Sequence, residues 1–149
     1  MADDARLVER VTRSLYTAIE TADLDLMGAV WLESDDVVCV HPGWPAVRGR
    51  GQVLRSWAVV MAGTPYVQFF LTDLDVQVAG DTAVVTCSES LLTGAEGAAE
   101  GFVGAQAVST KVLRRTPGGW RVALHHSSPV MGTPSDEADD DEGAQSADD

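Results

Sequence analysis

The sequence predicts an α+β fold in which N-terminal helices pack against one face of a curved antiparallel sheet. Over much of the first 62 residues, apolar residues recur every three or four positions with charged residues between them, as in amphipathic helices. From residue 66 onward, long apolar and β-branched runs are separated by short Gly-containing turns, which indicates consecutive antiparallel strands. Long strands with a bend curve strongly, so we expect a cone-shaped sheet that the helices close on one side.

Three helices and five strands make up this predicted order. The helices are predicted at residues 3–22, 24–31 and 52–62, and the strands at 37–41, 66–78, 82–92, 102–115 and 119–130. Asp73 and Asp75 interrupt the alternation of the second strand, which predicts a bend or a bulge at that point.

Charge divides the chain into a domain at 1–132 and a tail at 133–149. The net charge is −13, and the tail contributes eight acidic residues and no basic one. Such a segment is too polar to collapse, so we expect a disordered acidic tail. The domain carries no basic stripe, and this argues against nucleic-acid binding, which needs clustered Lys and Arg.

The cysteines, the N-terminus and the length of the apolar runs indicate the cellular compartment of the protein. Cys39 and Cys87 fall in separate strand-like runs and are expected to be buried thiols of a cytoplasmic protein. The N-terminus is acidic rather than that of a signal peptide, and no apolar run is long enough for a membrane span.

The last strand carries two of the three histidines. Strict alternation places Trp120 and His126 on one side and His125 on the other. We therefore expect His126 at the wall of an apolar pocket and His125 on the outer face. Adjacent strand residues point in opposite directions, so the pair is not expected to bind one metal ion.

Two further polar residues are candidates for chemistry. His41 ends a short strand before a Pro-Gly loop, and it is either a hydrogen-bonded structural residue or a pocket acid/base. Glu89 shares its side of a strand with apolar residues, and a buried carboxylate needs a partner. That partner is an arginine such as Arg114 or Arg121, or else Glu89 is a general base in the pocket.

Aromatic residues supply the expected pocket walls, and the other face of the sheet supplies the expected oligomer contact. Tyr16, Trp44, Trp57 and Trp120 are the candidate ligand-binding residues, and the ligand is expected to be a small apolar organic molecule. Neighbours such as Val84 and Val85 put apolar side chains on both faces of the sheet, which predicts a homodimer packed through the outer face. The single lysine, Lys111, is expected at the surface.

Several short motifs resemble the nuclear transport factor 2-like superfamily in its SnoaL-like branch. The resemblance covers about residues 4–131 and is carried by His41-Pro42-Gly43-Trp44, Gly49-Arg50, Gly80-Asp81, Arg114-Arg115 and Gly118-Gly119-Trp120-Arg121-Val122. It implies the cone-shaped fold and a family with isomerases, dehydratases, epoxide hydrolases, polyketide cyclases, transport factors and assembly domains. Family enzymes use an inward carboxylate, which implies such a role for Glu89.

The stretch from Ala105-Gln106 to Pro129 is also similar to the association domain of calcium/calmodulin-dependent kinase. The closing strand of that family contains His-x-His, and here Leu124 stands at the first position while His126 matches the second.

Two hypotheses for function follow. The first is a small homodimeric protein that binds a small organic molecule in an apolar pocket. It either only binds this molecule or transforms it by isomerisation, dehydration or cyclisation, with proton transfer by His41, His126 and Glu89 and without a cofactor. The second is a non-catalytic association module. The catalytic hypothesis requires His41 and His126 in one cavity.

Overall fold

The computed structural model describes residues 2–94 and 102–131, and the predicted tail at 133–149 lies outside them. In chain order the elements are α1 (Ala2–Thr21), α2 (Leu24–Val30), β1 (Val38–Val40), β2 (Val47–Arg48), α3 (Arg50–Gly63), β3 (Val67–Ala79), β4 (Thr82–Gly94), β5 (Phe102–Thr116) and β6 (Gly119–Pro129). The predicted α+β class is confirmed, and each predicted element ends within two residues of its observed bounds.

The six strands form one curved, unclosed sheet in the order β2-β1-β6-β5-β4-β3. Neighbouring strands are antiparallel except β1 and β6, which run parallel with Cys39 opposite His125. Strand β2 was not predicted, since two residues are too few to show an alternation. The parallel pair matters for the site because it brings the chain at His41 beside the second half of β6.

The helices cover the concave face of this sheet. Helix α1 buries an apolar stripe that includes Val8, Leu15 and Ala18. Its end is set by Ala22 in the left-handed region, and Asp23 then caps α2 by accepting a hydrogen bond from the backbone N of Leu26 at 3.0 Å. Among the described residues, no helix is long and apolar enough to cross a bilayer.

The bulge predicted in the second long strand is confirmed. The β3–β4 register shifts between Thr72 and Asp75, and Asp73 adopts a φ of 53°. A bulge bends its strand and increases its twist, so it contributes to the curvature that leaves room under the sheet.

A second bulge, in β6, was not predicted and reverses the expected orientation of the two histidines. Leu113 pairs with Val122 and Val112 pairs with Leu124, which leaves Ala123 as an extra residue. Beyond it the alternation changes phase, so that His125 is buried on the inner face and His126 is exposed on the outer face. The prediction that His126 faces inward and His125 outward is therefore wrong.

The two cysteines are buried as predicted, whereas the single lysine is not at the surface, where it was predicted. Cys39 and Cys87 are buried free thiols, as predicted. Lys111 was expected at the surface, but its side chain is fully buried in β5. It shares its side of the strand with Ala107 and Leu113, which are buried as well.

The outer face of the sheet carries exposed apolar side chains. Phe70, Val84, Leu92 and Val108 come from β3, β4 and β5, and Val108 is 46% exposed. The predicted presence of apolar residues on both faces of the sheet is thus observed, with Val84 exposed next to the fully buried Val85.

A charged cluster around Arg115 joins the start of α1 to the β4 and β5 strand ends. Arg115 donates to both carboxylate oxygens of Asp4, at 2.7 and 2.9 Å, and through Nε to Asp81 at 3.0 Å. Its guanidinium also lies 4.6 Å from the ring centroid of Trp120. This arrangement holds the pKa of Asp4 well below its usual range.

We expect Arg115→Gln to lower the melting temperature by several degrees, because one side chain ties together three parts of the chain that are distant in sequence. The matched control is Arg13→Gln, which loses only a pair with Glu9 on the surface of one helix. Thermal unfolding followed by circular dichroism measures the change in melting temperature of both variants. It is recorded at low salt and at about 1 M salt, where charges are screened within about 3 Å. Equal shifts in the two variants would contradict the assignment.

Candidate functional site

A cavity of about 230 Å³ lies between the concave face of the sheet and the helices α1 and α3. Most of its wall is aromatic or aliphatic, and one carboxylate and two imidazoles interrupt that surface. Its lining residues are Tyr16, Ile19, His41, Pro42, Trp44, Trp57, Val60, Thr64, Val67, Phe69, Glu89, Leu91, His125 and Ser127.

The structure brings most of the predicted site residues together. Those that line the cavity are His41, Glu89, Tyr16, Trp44 and Trp57, which come from α1, α3, β4 and the loop after β1. Their proximity was predicted only through the resemblance to a family. Their catalytic and ligand-binding roles stay predictions.

Two predicted site residues, His126 and Trp120, lie elsewhere, and the prediction that they face the cavity is wrong. His126 is exposed on the outer face as a result of the bulge, so the catalytic hypothesis that placed His41 and His126 in one cavity is wrong in that form. His125 lies in the cavity with His41 instead. Trp120 is buried in the core beside Arg115, and its Nε1 donates to Asp4 at 3.3 Å.

The sequence reasoning missed His125 and Ser127, which line the cavity from β6, and Lys111, which lies behind it. Nothing local in the sequence marks Ala123 as a bulge, so the change of phase was not readable. The burial of Lys111 could have been predicted, because alternation places it on the same side of β5 as Leu113, which is buried.

Glu89 is 4% exposed and has partners for both carboxylate oxygens. The hydroxyl of Tyr16 donates to Oε2, and the hydroxyl of Ser127 donates to Oε1 at 3.2 Å. In the described part of the chain, no arginine bonds to it, so the expected pairing with Arg114 or Arg121 is not found. Glu89 instead presents an oriented carboxyl group at the cavity wall.

Lys111 supplies the positive charge nearest to this carboxylate. Its Nζ donates to the Tyr16 hydroxyl and, at 2.8 Å, to Ser109 Oγ. Burial lowers the pKa of Lys111, while the neighbouring thiols and Glu89 oppose that shift. Burial and the charge of Glu89 raise the pKa of Tyr16, so Tyr16 keeps its proton and acts as a donor to Glu89.

The tautomer of His41 is set by Ser56 on α3. The Ser56 hydroxyl lies 2.7 Å from the carbonyl oxygen of Val53 and 2.8 Å from His41 Nε2. Two oxygens at 2.7 Å need a hydrogen between them, and only the hydroxyl can supply it. His41 Nε2 must therefore donate to Ser56, which leaves Nδ1 as the nitrogen with the lone pair.

Both cavity histidines are neutral at neutral pH. Burial lowers the pKa of His41 to about 4, and its ring packs edge-on against Trp44 and Trp57 at 4.7 and 4.5 Å. Burial and then the positive charge of Lys111 lower the pKa of His125 well below its ordinary value. The centroid of the His125 ring lies 5.5 Å from that of Trp57, and its Nδ1 has no hydrogen-bond partner among the described residues.

In the described ranges, no three His, Cys, Asp or Glu side chains come together in a way that could hold a metal ion. Glu89, His41 and His125 can transfer protons and form hydrogen bonds inside this small, largely apolar cavity.

The fold and this cavity define a small α+β protein of the nuclear transport factor 2-like class. A family model described as a SnoaL-like domain matches residues 8–132, and the chain therefore belongs to that family. The resemblance identified from the sequence motifs is confirmed.

Solved structures and one plant protein are similar to this chain. A candidate dehydratase of the nuclear transport factor 2-like family from Streptomyces avermitilis is 42% identical, with a TM-score of 0.82 over 89% of this chain and 100% of the other. A candidate calcium/calmodulin-dependent protein kinase type II association domain from Thiobacillus denitrificans is 28% identical, with a TM-score of 0.72 over 83% of this chain and 94% of the other. The F-box protein SKIP8 of Arabidopsis thaliana is 25% identical over 126 residues, which is 85% of this chain. The match covers 51% of that protein, so the chain spans about half the length of this curated relative.

The neutral state of His41 predicts a specific dependence of stability on pH. In the unfolded chain its pKa is about 6.5, whereas in the fold it is about 4, so the unfolded state binds the extra proton as the pH falls. The free energy of unfolding should therefore fall between about pH 6.5 and pH 4, by up to about 3 kcal/mol from this residue.

We expect His41→Phe, which keeps an aromatic ring between Trp44 and Trp57, to show a shallower fall over this range than the wild type. Urea unfolding at pH 8, 6.5 and 5 measures the difference. The matched control is His126→Gln, because that side chain is exposed outside the cavity. A His41→Phe curve parallel to the wild type would contradict the assignment of a neutral, buried His41.

Proposed function

We propose that the protein binds a single-ring organic molecule in the cavity and catalyses the loss of water from it by proton transfer. The observation that carries this proposal is the enclosure of Glu89 and two neutral imidazoles, His41 and His125, within a mainly apolar wall. Convergent polar groups in one apolar pocket are the usual arrangement of a small-molecule site.

Cavity size and wall chemistry limit the ligand. An engineered cavity of about 150 Å³ holds benzene, and the cavity here measures about 230 Å³. That volume accommodates one six-membered ring with one or two small substituents. Trp44, Trp57 and Phe69 suit the faces of the ring, while Glu89 and the imidazoles suit oxygen substituents.

The residues divide into a proton acceptor and groups that bind oxygen. A hydrogen bond to the carbonyl oxygen of a ketone makes the neighbouring C–H proton more acidic, and the lone pair of His41 Nδ1 is the proposed acceptor of that proton. As its C–H bond breaks, a C=C bond forms and the C–O bond on the next carbon breaks, while the leaving hydroxyl takes a proton from the carboxylic acid form of Glu89 and departs as water. We assign the leaving hydroxyl to Glu89 and the carbonyl oxygen to His125, whose side chain lines the cavity from β6.

The relatives favour dehydration over other proton transfers. The 42% identical protein from Streptomyces avermitilis is named as a candidate dehydratase. Isomerisation and cyclisation start with the same removal of a proton next to a carbonyl group, so the site residues alone do not select among them.

The test uses monocyclic β-hydroxy ketones, beginning with 3-hydroxycyclohexanone, and follows the ultraviolet absorbance of the conjugated enone. We expect turnover that falls about 100-fold or more in Glu89→Gln and in His41→Phe, the range for a lost general acid or base. Tryptophan fluorescence, with Trp44 and Trp57 in the wall, reports binding of cyclohexanone independently of turnover.

His126→Gln is the matched control and should keep wild-type turnover, because the residue lies on the outer face. The proposal fails if single-ring ketones neither bind nor react, or if His126→Gln is as impaired as the cavity variants.

We also propose that two copies of the chain associate through the outer face of the sheet, as the second hypothesis requires. The exposed side chains of Phe70, Val84, Leu92 and Val108 support this, since monomers rarely keep extended apolar patches. The 28% identical relative is named as an association domain, and this supports self-association of the present chain. Association and ligand binding use opposite faces and are compatible.

We expect Val108→Glu to convert the dimer to a monomer at micromolar concentration, because the charge would lie within the apolar patch. Val59→Glu is the matched control, since Val59 is 59% exposed but lies on α3. Sedimentation equilibrium of the full chain measures both variants. A monomeric wild type, or a dimer that survives Val108→Glu, would contradict the proposal.

Free thiols support a reducing compartment, and we propose the cytoplasm. Cys39 and Cys87 are both buried and unpaired with each other. Burial raises the pKa of the Cys39 thiol to about 12, so this group stays protonated and inert.

A further inference from the structure

Lys111 is a buried amine that the proposed reaction does not yet use. It is the only lysine of the chain, its side chain is fully buried, and it does not line the cavity. An ammonium group in such a position is costly unless charge and hydrogen bonds compensate it. The hydrogen-bonding neighbours are Tyr16 and Ser109, and the titratable groups around the amine are Glu89, the thiols of Cys87 and Cys39, and His125, which pairs with Lys111 across β5 and β6.

The hydrogen bonds from this amine form a directed chain that ends at the cavity. Lys111 Nζ donates to the Tyr16 hydroxyl, and the same hydroxyl donates to Oε2 of Glu89. The positive and negative charges are therefore linked through one exchangeable hydroxyl proton rather than by direct contact. Ser109 accepts a second bond from Nζ and holds the amine in this position.

We propose that Lys111 is the proton reserve of the cavity and that it exchanges a proton with Glu89 through the Tyr16 hydroxyl. In this step an Nζ–H bond breaks and its proton joins Tyr16 Oη, while the Tyr16 Oη–H bond breaks and its proton joins Glu89 Oε2. The nitrogen keeps the electron pair, so an ammonium and a carboxylate become a neutral amine and a neutral carboxylic acid. No other reactant is needed.

The relay gives Glu89 two states at the wall of the cavity. As a carboxylate it accepts hydrogen bonds, and as an acid it can give the proton that the leaving hydroxyl requires. Burial disfavours both charged groups, so the ion pair and the neutral pair are closer in free energy here than in water. This role rests on the proposed dehydration, but the exchange itself can be tested without turnover.

A single lysine makes the test specific. Full-length protein grown with ¹³C,¹⁵N-lysine gives one side-chain signal, and the Cε shift reports whether Lys111 is charged. We expect an ammonium in the wild type near neutral pH, and we expect Glu89→Gln to move its loss of the proton down by about one pH unit or more. Ser127→Ala is the matched control, because it removes one bond to Glu89 but keeps the carboxylate.

Tyr16→Phe separates the relay from simple attraction across space. In this background the effect of Glu89→Gln on the Lys111 signal should be less than half of that in the wild type. Equal effects in the two backgrounds, or no effect of Glu89→Gln at all, would overturn the relay. These results do not depend on finding a substrate, so failure of the proposed dehydration would be recognised separately.

A kinetic arm then examines the role of the relay in turnover. Lys111→Met, with folding checked by circular dichroism, should lower kcat for the hydroxy ketone at least tenfold and leave KM unchanged, because Lys111 does not touch the ligand. A merely structural lysine would instead change the melting temperature while leaving kcat intact, and that outcome would overturn the proposal.

Discussion

The extra residue in β6, Ala123, determines what the cavity contains. Before it, Trp120 and Val122 point inward and pack under the helices; after it, His125 and Ser127 point inward and meet the cavity. Glu89 depends on this change of phase, because Ser127 is the donor to its Oε1. A regular strand would have placed the side chains of His126 and Ser128 there instead, and the carboxylate would have faced a different set of partners.

Several polar groups persist in this apolar interior because defined neighbours form hydrogen bonds with them. Ser56 orients the ring of His41, and Tyr16 stands between the charges of Lys111 and Glu89. These bonds connect α1 to β4 and β5, and α3 to the loop after β1, so the site and the packing of the helices on the sheet are one arrangement. A buried network of this kind tolerates little loss, since a remaining partner without its hydrogen bond costs about 1–3 kcal/mol.

The sequence was sufficient for the order of the elements but not for the details of the closing strand. Apolar spacing located three helices and five strands, and the two aspartates at 73 and 75 revealed the first bulge. Ala123 is an ordinary strand residue, and only pairing with Leu113 and Val112 shows that it is extra. The alternation of β5 did contain the information that Lys111 is buried, but the general preference of lysine for the surface outweighed it.

The adjacent histidines of β6 lie on opposite faces of the sheet, so one belongs to the cavity and the other to the outer face. His125 faces the cavity, whereas His126 lies beside the apolar patch on the outer face. A change at one of these positions therefore alters one face of the sheet without introducing a group into the other. Because strand side chains alternate, the proposed ligand site and the proposed association surface can change on the same few strands with limited interference. This independence gives a physical reason why one family fold can include both enzymes and association domains.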